Sequence, residues 1–226
     1  MPKNISENIS KRLLERSTQL HISFNKNQIN QCMLYLNLIQ KWNKTYNLTN
    51  ITKAEDILEY HFIDSLQIAP YLKNSNYILD IGTGAGLPGI ILAICYPYKN
   101  ITMIDKCRKK IQFVTQVCHE LGLDKNKVKA IHARIEPNKN NLNIINKFDT
   151  IISRAVMQIE PFISICKHLL DKTGNIYLMK GKSDTINQEI SLAQTKYDLF
   201  NIESIKLNNL AKGEQRHLIK INFKIS

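Results

Sequence analysis

Apolar positions in the first 76 residues recur with helical spacing. Ile29, Cys32, Met33, Leu36 and Ile39 follow an i, i+3, i+4 pattern, and Ile57, Leu58, His61, Phe62, Ser65, Leu66 and Ala69 suggest a second helix. Thr52, with Glu55 three residues on, predicts a capping box at the start of that second helix, and Pro70 lies near its end. From Tyr77 the pattern changes to short apolar runs separated by helical windows. The runs predict strands at 77–81, 101–104, 128–132, 148–153, 175–179, 202–207 and 217–223, and the windows predict helices near 88–95, 108–121, 159–170 and 184–197. Strand–helix alternation with apolar strands implies parallel βαβ units covered on both faces. The last two strands are joined by the short link 208–216, which has no room for a crossover helix, so they are expected to be antiparallel neighbours. The expected fold class is therefore α/β. It comprises a helical extension over residues 1–70, then a mostly parallel seven-stranded sheet with an antiparallel last strand over residues 71–226.

Glycine is concentrated at one place. None of the eight glycines precedes Gly82, and four fall between Gly82 and Gly89. The run Tyr77-Ile78-Leu79-Asp80-Ile81 enters Gly82-Thr83-Gly84-Ala85-Gly86-Leu87-Pro88-Gly89, and Pro88 suits the first turn of the helix that follows. Alternate glycines allow positive φ and let a ligand approach the main chain, while the helix start offers free N–H groups. Two ligands fit such a loop. Gly84-Ala85-Gly86-Leu87-Pro88-Gly89 formally matches the dinucleotide pattern G-x-G-x-x-G. Asp80-Ile81-Gly82-Thr83-Gly84-Ala85-Gly86 gives the acidic residue followed by G-x-G-x-G that S-adenosylmethionine would want. Asp80 would pair with the ammonium of that ligand or hold the loop through backbone N–H groups, whereas it would repel a pyrophosphate. The methyl donor is the favoured ligand. A parallel sheet finished by one antiparallel strand is also the arrangement of Rossmann-like methyltransferases and differs from the all-parallel dinucleotide fold.

In open α/β sheets, ligands bind beyond the carboxyl ends of the strands. Asp105 ends the second strand, where a carboxylate faces a ribose in either ligand. Arg134-Ile135-Glu136 follows the third strand, where an adenine edge would meet backbone and carboxylate. Ser153-Arg154-Ala155 ends the fourth, which puts Arg154 in or beside the reaction site unless it is simply a surface arginine. No Asn-Pro-Pro-Tyr type of motif follows the fourth strand to cradle an exocyclic amine, and no Pro-Cys dipeptide marks a cysteine nucleophile. An acceptor with an exposed lone pair, such as guanine N7, needs neither; alignment and stacking suffice, and catalysis would rest on proximity.

Composition and charge narrow the partner. The 226 residues are 43% hydrophobic and 22% charged, an ordinary globular mix. No apolar run of membrane-spanning length occurs, and residues 1–15 carry charges without the apolar stretch of a secretory signal. The formal net charge of +12 favours an anionic partner such as RNA, DNA or acidic lipid, although Lys-rich composition alone would also give it. The five cysteines, Cys32, Cys95, Cys107, Cys118 and Cys166, contain no C-x-x-C pair, which argues against disulfides and against a zinc site.

At this point the chain resembles the small-subunit ribosomal RNA guanine-N7 methyltransferases (the RsmG/GidB family), over nearly its whole length. Trp42-Asn43-Lys44-Thr45-Tyr46-Asn47-Leu48-Thr49 resembles the family's W-N-x-x-x-N-L-T, and His61-Phe62-Ile63-Asp64-Ser65 its H-x-x-D-S. The run 82–89 resembles its G-T-G-x-G-x-P-G, Ile152-Ser153-Arg154-Ala155 its I-S-R-A, and Lys180-Gly181 its K-G. The resemblance implies a Rossmann-like methyltransferase fold, S-adenosylmethionine as cofactor and a 7-methylguanine in small-subunit RNA as product. It implies that Gly82, Leu87, Ile135, Glu136 and Arg154 contact the methyl donor, to which the loop and strand-end argument adds Asp80, Gly84, Gly86 and Asp105. Arg154 is the one candidate for a catalytic part, and no metal is expected. Asn43, Asn47 and His61 are candidates to face RNA, His61 with a core histidine as the even alternative, and Lys180 and Arg216 are candidates for phosphate. Trp42 reads first as a core anchor. The family often has serine after the second-strand acid; this chain has Lys106, then Arg108, Lys109 and Lys110, a basic cluster that would touch phosphates or sit solvated. The expected partner is small-subunit ribosomal RNA or a ribosomal subunit, with no membrane contact, for a cytoplasmic monomer. Two other readings stand beside this one: an NAD-dependent oxidoreductase and a non-catalytic RNA-binding module.

Overall fold

The computed structural model describes residues 3–137, 147–154, 157–181, 184–207 and 215–224. Ala155 and most of the 208–216 link lie outside them. Two long helices open the chain, α1 (Lys3–Gln19) and α2 (Lys26–Tyr46). A short helix α3 (Ala54–Ile57) passes through a π-helical turn, Leu58–Ile63, into α4 (Asp64–Leu66). Then β1 (Tyr77–Ile81), α5 (Gly89–Cys95), β2 (Asn100–Asp105), α6 (Arg108–Glu120), β3 (Val128–His132), β4 (Phe148–Arg154), α7 (Ile159–Cys166), β5 (Leu170–Gly181), α8 (Ile186–Lys196), β6 (Phe200–Leu207) and β7 (Arg216–Phe223) follow.

The seven strands form one sheet in the order β3-β2-β1-β4-β5-β7-β6. The first five pair in parallel, and β7 runs antiparallel between β5 and β6. The chain steps one way from β1 to β2 and β3, then returns to place β4 on β1's other side. The crevice beyond the carboxyl ends of β1 and β4 is thus the topological switch point, where such sheets bind ligands.

Why these residues make these layers is visible in their burial. Ile78, Leu79, Ile101, Met103, Ile151 and Ile152 are all fully buried, as strands covered on both faces require. One face is covered by α7 and α8. The other is covered by α5 and α6, and the N-terminal helices lie on that layer: Tyr35, Leu36 and Ile39 of α2 share one apolar cluster with Ile90 and Ile91 of α5 and Val114 of α6. Helix α5 is apolar nearly all round because it is enclosed from both sides.

Two local expectations are corrected. The capping box expected at Thr52 is not made: α3 starts at Ala54 with Lys53 before it and no side-chain cap. The Thr52 carbonyl instead takes a hydrogen bond from the Gln40 amide at 3.0 Å, which keeps residue 52 in the loop. The box that does form is Asn25 with Gln28, each side chain meeting the other's backbone N–H at 2.9 Å. The helical window at 159–170 also ends early. A 3₁₀ turn, Lys167–Leu169, follows α7, and Leu170 already pairs with Phe148 of β4. Strand pairing therefore claims the end of the predicted helix.

Candidate active site

The glycine loop joins β1 to α5, and its backbone explains its composition. Gly82, Gly84 and Gly86 have φ of +71°, +60° and +93°, a region costly for residues with a Cβ. The three do different work. A Cβ on Gly84 would meet nothing closer than the Gly82 carbonyl at 3.9 Å, so this glycine opens onto the cleft. A Cβ on Gly86 would lie 2.6 Å from Ile90 Cγ1 and 3.1 Å from the Tyr35 hydroxyl, so this glycine faces inward, against α5 and α2.

Asp80 lies under the loop. It is fully buried, and its Oδ2 accepts from the Thr83 hydroxyl at 2.7 Å and from the Gly89 N–H at 2.9 Å. Of the two roles open to it from the sequence, these contacts are those of the loop-holder. Burial pushes its carboxyl up to about 6, against the lowering effect of the Thr83 and Gly89 hydrogen bonds and of Arg154. Asp105, at the end of β2, accepts from the Gly84 N–H at 2.9 Å and from the Cys107 N–H at 2.8 Å. It ties the loop to the next strand and lines the cleft beside it.

That cleft, of about 990 Å³, lies between the loop and the ends of β2, β3 and β4. Gly82, Gly84, Leu87, Asp105, Ile135 and Glu136 line it together with Arg154, as does Lys106, whereas Asp80 and Gly86 support the loop from behind. A second cleft of about 690 Å³ adjoins it, between residues 50–53 and the facing ends of β4, β5 and β7. Both clefts are lined by His61 and Arg154.

The wall between them is built by the π-helical turn. Arg154 Nη1 donates to the Tyr60 carbonyl at 3.0 Å and to Asp64 Oδ2 at 3.2 Å. Asp64 Oδ1 accepts from Arg216 Nε at 3.1 Å. One buried carboxylate from the N-terminal helices therefore holds two arginines, from β4 and β7. His61 is also buried. Desolvation, then the Arg154 charge, pushes its ring down to about 4, so it is neutral near pH 7. Nδ1 lies 3.1 Å from the Tyr60 carbonyl, which can only accept, and 3.5 Å from Arg154 Nη2, which can only donate; the shorter contact assigns the proton to Nδ1. Nε2 then accepts from the Thr49 hydroxyl at 2.8 Å, and that oxygen accepts from the Ile51 N–H at 3.1 Å. His61 thus positions the 49–53 segment that edges both clefts.

Of the other RNA-facing candidates, Lys180 and Arg216 line the second cleft. Lys180 Nζ pairs with Glu189 at 2.7 Å. Asn47 is exposed and ends α2 in the left-handed conformation, φ +48°, while Asn43 bonds both the N–H and the carbonyl of Thr49. These two asparagines shape the turn. Trp42 stacks on Tyr46 and packs against Phe113 of α6. The cysteines are free, and among the described residues no group of His, Cys, Asp or Glu is placed to hold a metal.

Sequence reasoning missed Tyr35 and Asp64 as site residues. The Tyr35 hydroxyl, fully buried on α2 and stacked on Phe62, donates to the Ala85 carbonyl of the glycine loop at 2.6 Å. Nothing local marks a helical tyrosine for a loop fifty residues away. Asp64 had a signal: a carboxylate on an otherwise apolar helical stripe needs a buried partner.

Comparison with known proteins agrees with this geometry. The sequence model described as "GidB: rRNA small subunit methyltransferase G" matches residues 28–219. A Ribosomal RNA small subunit methyltransferase G from Francisella philomiragia is 42% identical over 217 residues, covering 96% of this chain and 93% of that one. Its namesake from Saccharophagus degradans is 37% identical over 206 residues, covering 91% and 88%. Among solved structures, an O-methyltransferase from Bacillus cereus in complex with SAH superposes with a TM-score of 0.54 at 14% identity, covering 84% of this chain and 91% of that one, a likeness of fold. A family match over most of the length, with relatives well above 30% identity, places the chain: it belongs to the rRNA small subunit methyltransferase G family.

Proposed function

We propose that the protein transfers a methyl group from S-adenosylmethionine to N7 of a guanine in small-subunit (16S) ribosomal RNA, in the cytoplasm. The observation that carries this reading is the pair of clefts meeting at His61 and Arg154. The larger one takes the cofactor, and the smaller one, walled by the helical extension of residues 1–70, takes the base.

The residues present suit the cofactor. Gly84 leaves open space where any side chain would intrude, Asp105 reaches the cleft for a ribose, and Ile135 with Glu136 offers an apolar and polar pair for an adenine. When bound, the cofactor supplies an electrophilic methyl group on a sulfonium. The chain's own work is positioning. Guanine N7 attacks with a lone pair and sheds no proton, so no general base is required. A neutral His61 at the junction fits that chemistry: it orients residues 49–53 and adds no charge where positive charge passes to the base. Arg154 shapes the junction while Asp64 holds it back. Arg216 and Lys180 line the outer part of the base cleft, towards phosphate.

The experiment is mass spectrometry of ribosomal RNA from cells with and without the gene. Loss of one 7-methylguanosine from small-subunit RNA, restored by the wild-type gene but not by Gly84→Val, is the expected result. Restoration by Gly84→Val would favour the non-catalytic RNA-binding reading. A melting temperature raised by NAD but not by S-adenosylhomocysteine would favour the oxidoreductase; family membership and the antiparallel β7 already weigh against it.

A further inference from the structure

The edge of the cofactor cleft beside β2 and β3 carries a block of cations. Lys106 follows Asp105, Arg108, Lys109 and Lys110 make the first turn of α6, and Arg134 follows β3. Lys106, Lys110 and Arg134 line the cleft, and Lys106, Arg108, Lys109 and Arg134 are exposed. Among the described residues, none of the five has a salt bridge or a side-chain hydrogen bond. The chain has 31 lysines and arginines, but of the others at the clefts, among the described residues, only Lys53 is likewise without a salt bridge: Arg154 and Arg216 are tied to Asp64, Lys180 to Glu189.

This block is unfavourable for the helix that carries it. The first turn of α6 has no acidic residue and no side-chain cap. Cations at a helix start oppose the macrodipole, at about 0.3–1 kcal/mol each, and they repel one another. A local rule broken without a local gain marks a surface shaped by what it binds. Of the exposed large apolar side chains among the described residues, Met157 alone lines the cleft that this block edges. A membrane surface would call for several such anchors. A repeating phosphate chain calls only for cations spaced along a rim.

We propose that Lys106, Arg108, Lys109 and Arg134 form a docking strip for the phosphates of the RNA strand that carries the target base. The inference rests on the methyltransferase reading above and deepens it. It gives the RNA a second contact on the opposite side of the cofactor cleft from Lys180 and Arg216. The strand then straddles the cleft mouth, and its target base turns in towards His61 and Arg154.

The test uses the full chain, unmethylated naked small-subunit ribosomal RNA, and the double variant R108S/K109S, whose side chains line neither cleft. Affinity is measured across a salt series. Each lost phosphate contact lowers the slope of log K against log salt by about 0.7–0.9, so the variant's slope falls by about 1.4–1.8. KM for RNA rises while kcat holds. The shift in melting temperature given by S-adenosylhomocysteine is unchanged, and the melting temperature itself stays level or rises, because the dipole conflict is relieved. An unchanged slope overturns the proposal. So does a loss of the S-adenosylhomocysteine shift, which would assign these cations to the cofactor. So does weakened binding to the intact subunit with naked RNA unaffected, which would place an acidic protein face there. The two readings fail separately. If wild type methylates RNA but the slope is unchanged, only the strip is lost; if the slope falls but wild type methylates no small-subunit RNA, only the functional reading is lost.

Discussion

Asp80 and His61 are both titratable and buried, and their shifts run in opposite directions. For Asp80 the folded value is raised from 3.8 to about 6; its stabilising contribution is complete below 3.8 and lost as pH rises through 6. For His61 the folded value is lowered from 6.5 to about 4; its contribution is complete above 6.5 and lost as pH falls through 4. Over this shared window the two slopes oppose each other. Urea midpoints between pH 6.5 and 4 should therefore change little on account of this pair. In H61Q the midpoint should rise on acidification, and in D80N it should fall more steeply than in wild type. Protonation of Asp80 also weakens the acceptor that holds Thr83 and Gly89, so affinity for S-adenosylhomocysteine, followed by calorimetry, should drop below about pH 6 in wild type and much less in D80N. The loop glycines separate by direction. Gly86→Ala meets Ile90 at 2.6 Å with φ +93° and should cost about 2–4 kcal/mol in chemical unfolding. Gly84→Ala meets open space and should cost about 1–2 kcal/mol of backbone strain, yet weaken S-adenosylhomocysteine binding at least as much as Gly86→Ala does.

At the scale of elements, the π-helical turn Leu58–Ile63 turns an apolar helix into the partition between two clefts. Widened turns of this kind often sit at functional sites. Here it presents the Tyr60 carbonyl and, one step on, the Asp64 carboxylate to β4 and β7. The two guanidinium side chains keep 18% and 21% of their surface exposed, so losing their partner costs less than in a fully buried pair. Asp64→Ala should cost about 2–3 kcal/mol, below the about 3–5 kcal/mol of fully buried ion pairs. Its methylation rate should fall at least tenfold, with Asp64→Glu restoring stability better than rate. On the other side of the loop, Tyr35→Phe leaves the buried Ala85 carbonyl without its donor and should cost about 1–2 kcal/mol. The same variant should raise the dissociation constant for S-adenosylhomocysteine, because the loop loses its brace from α2.

For the whole molecule, the N-terminal helices are part of the core that supports the site. Tyr35, Leu36 and Ile39 of α2 are fully buried against the α5–α6 layer. At about 1.5–3 kcal/mol each, these three side chains account for about 5–9 kcal/mol, comparable with the about 5–15 kcal/mol that holds a typical domain together. A chain truncated to residues 47–226 should therefore give no cooperative thermal transition and no response to S-adenosylhomocysteine, measured by differential scanning calorimetry.

The sequence by itself determined the sheet and the loop. Among the described residues, the seven strands and the four helices between them fall near the stretches that apolar periodicity marks, because each element is chosen by burial of its own face. The Gly82–Gly89 run announced the tight turn between β1 and α5, since three positive-φ positions admit little but glycine. The antiparallel β7 followed from the shortness of a link. Tertiary structure alone decided what lies on which side of that loop. Gly84 faces the cleft and Gly86 faces Tyr35, although the sequence treats them alike. Thr52 has the chemistry of a helix cap, but the bond from Gln40 holds it in the loop. Asp64 meets Arg154 and Arg216, which lie 90 and 152 residues further along the chain. Periodicity reports how an element meets the core; it carries no information about which distant charge will arrive beside it. That pairing is set only when β4 and β7 take their places in the sheet and the π-helical turn closes over their ends.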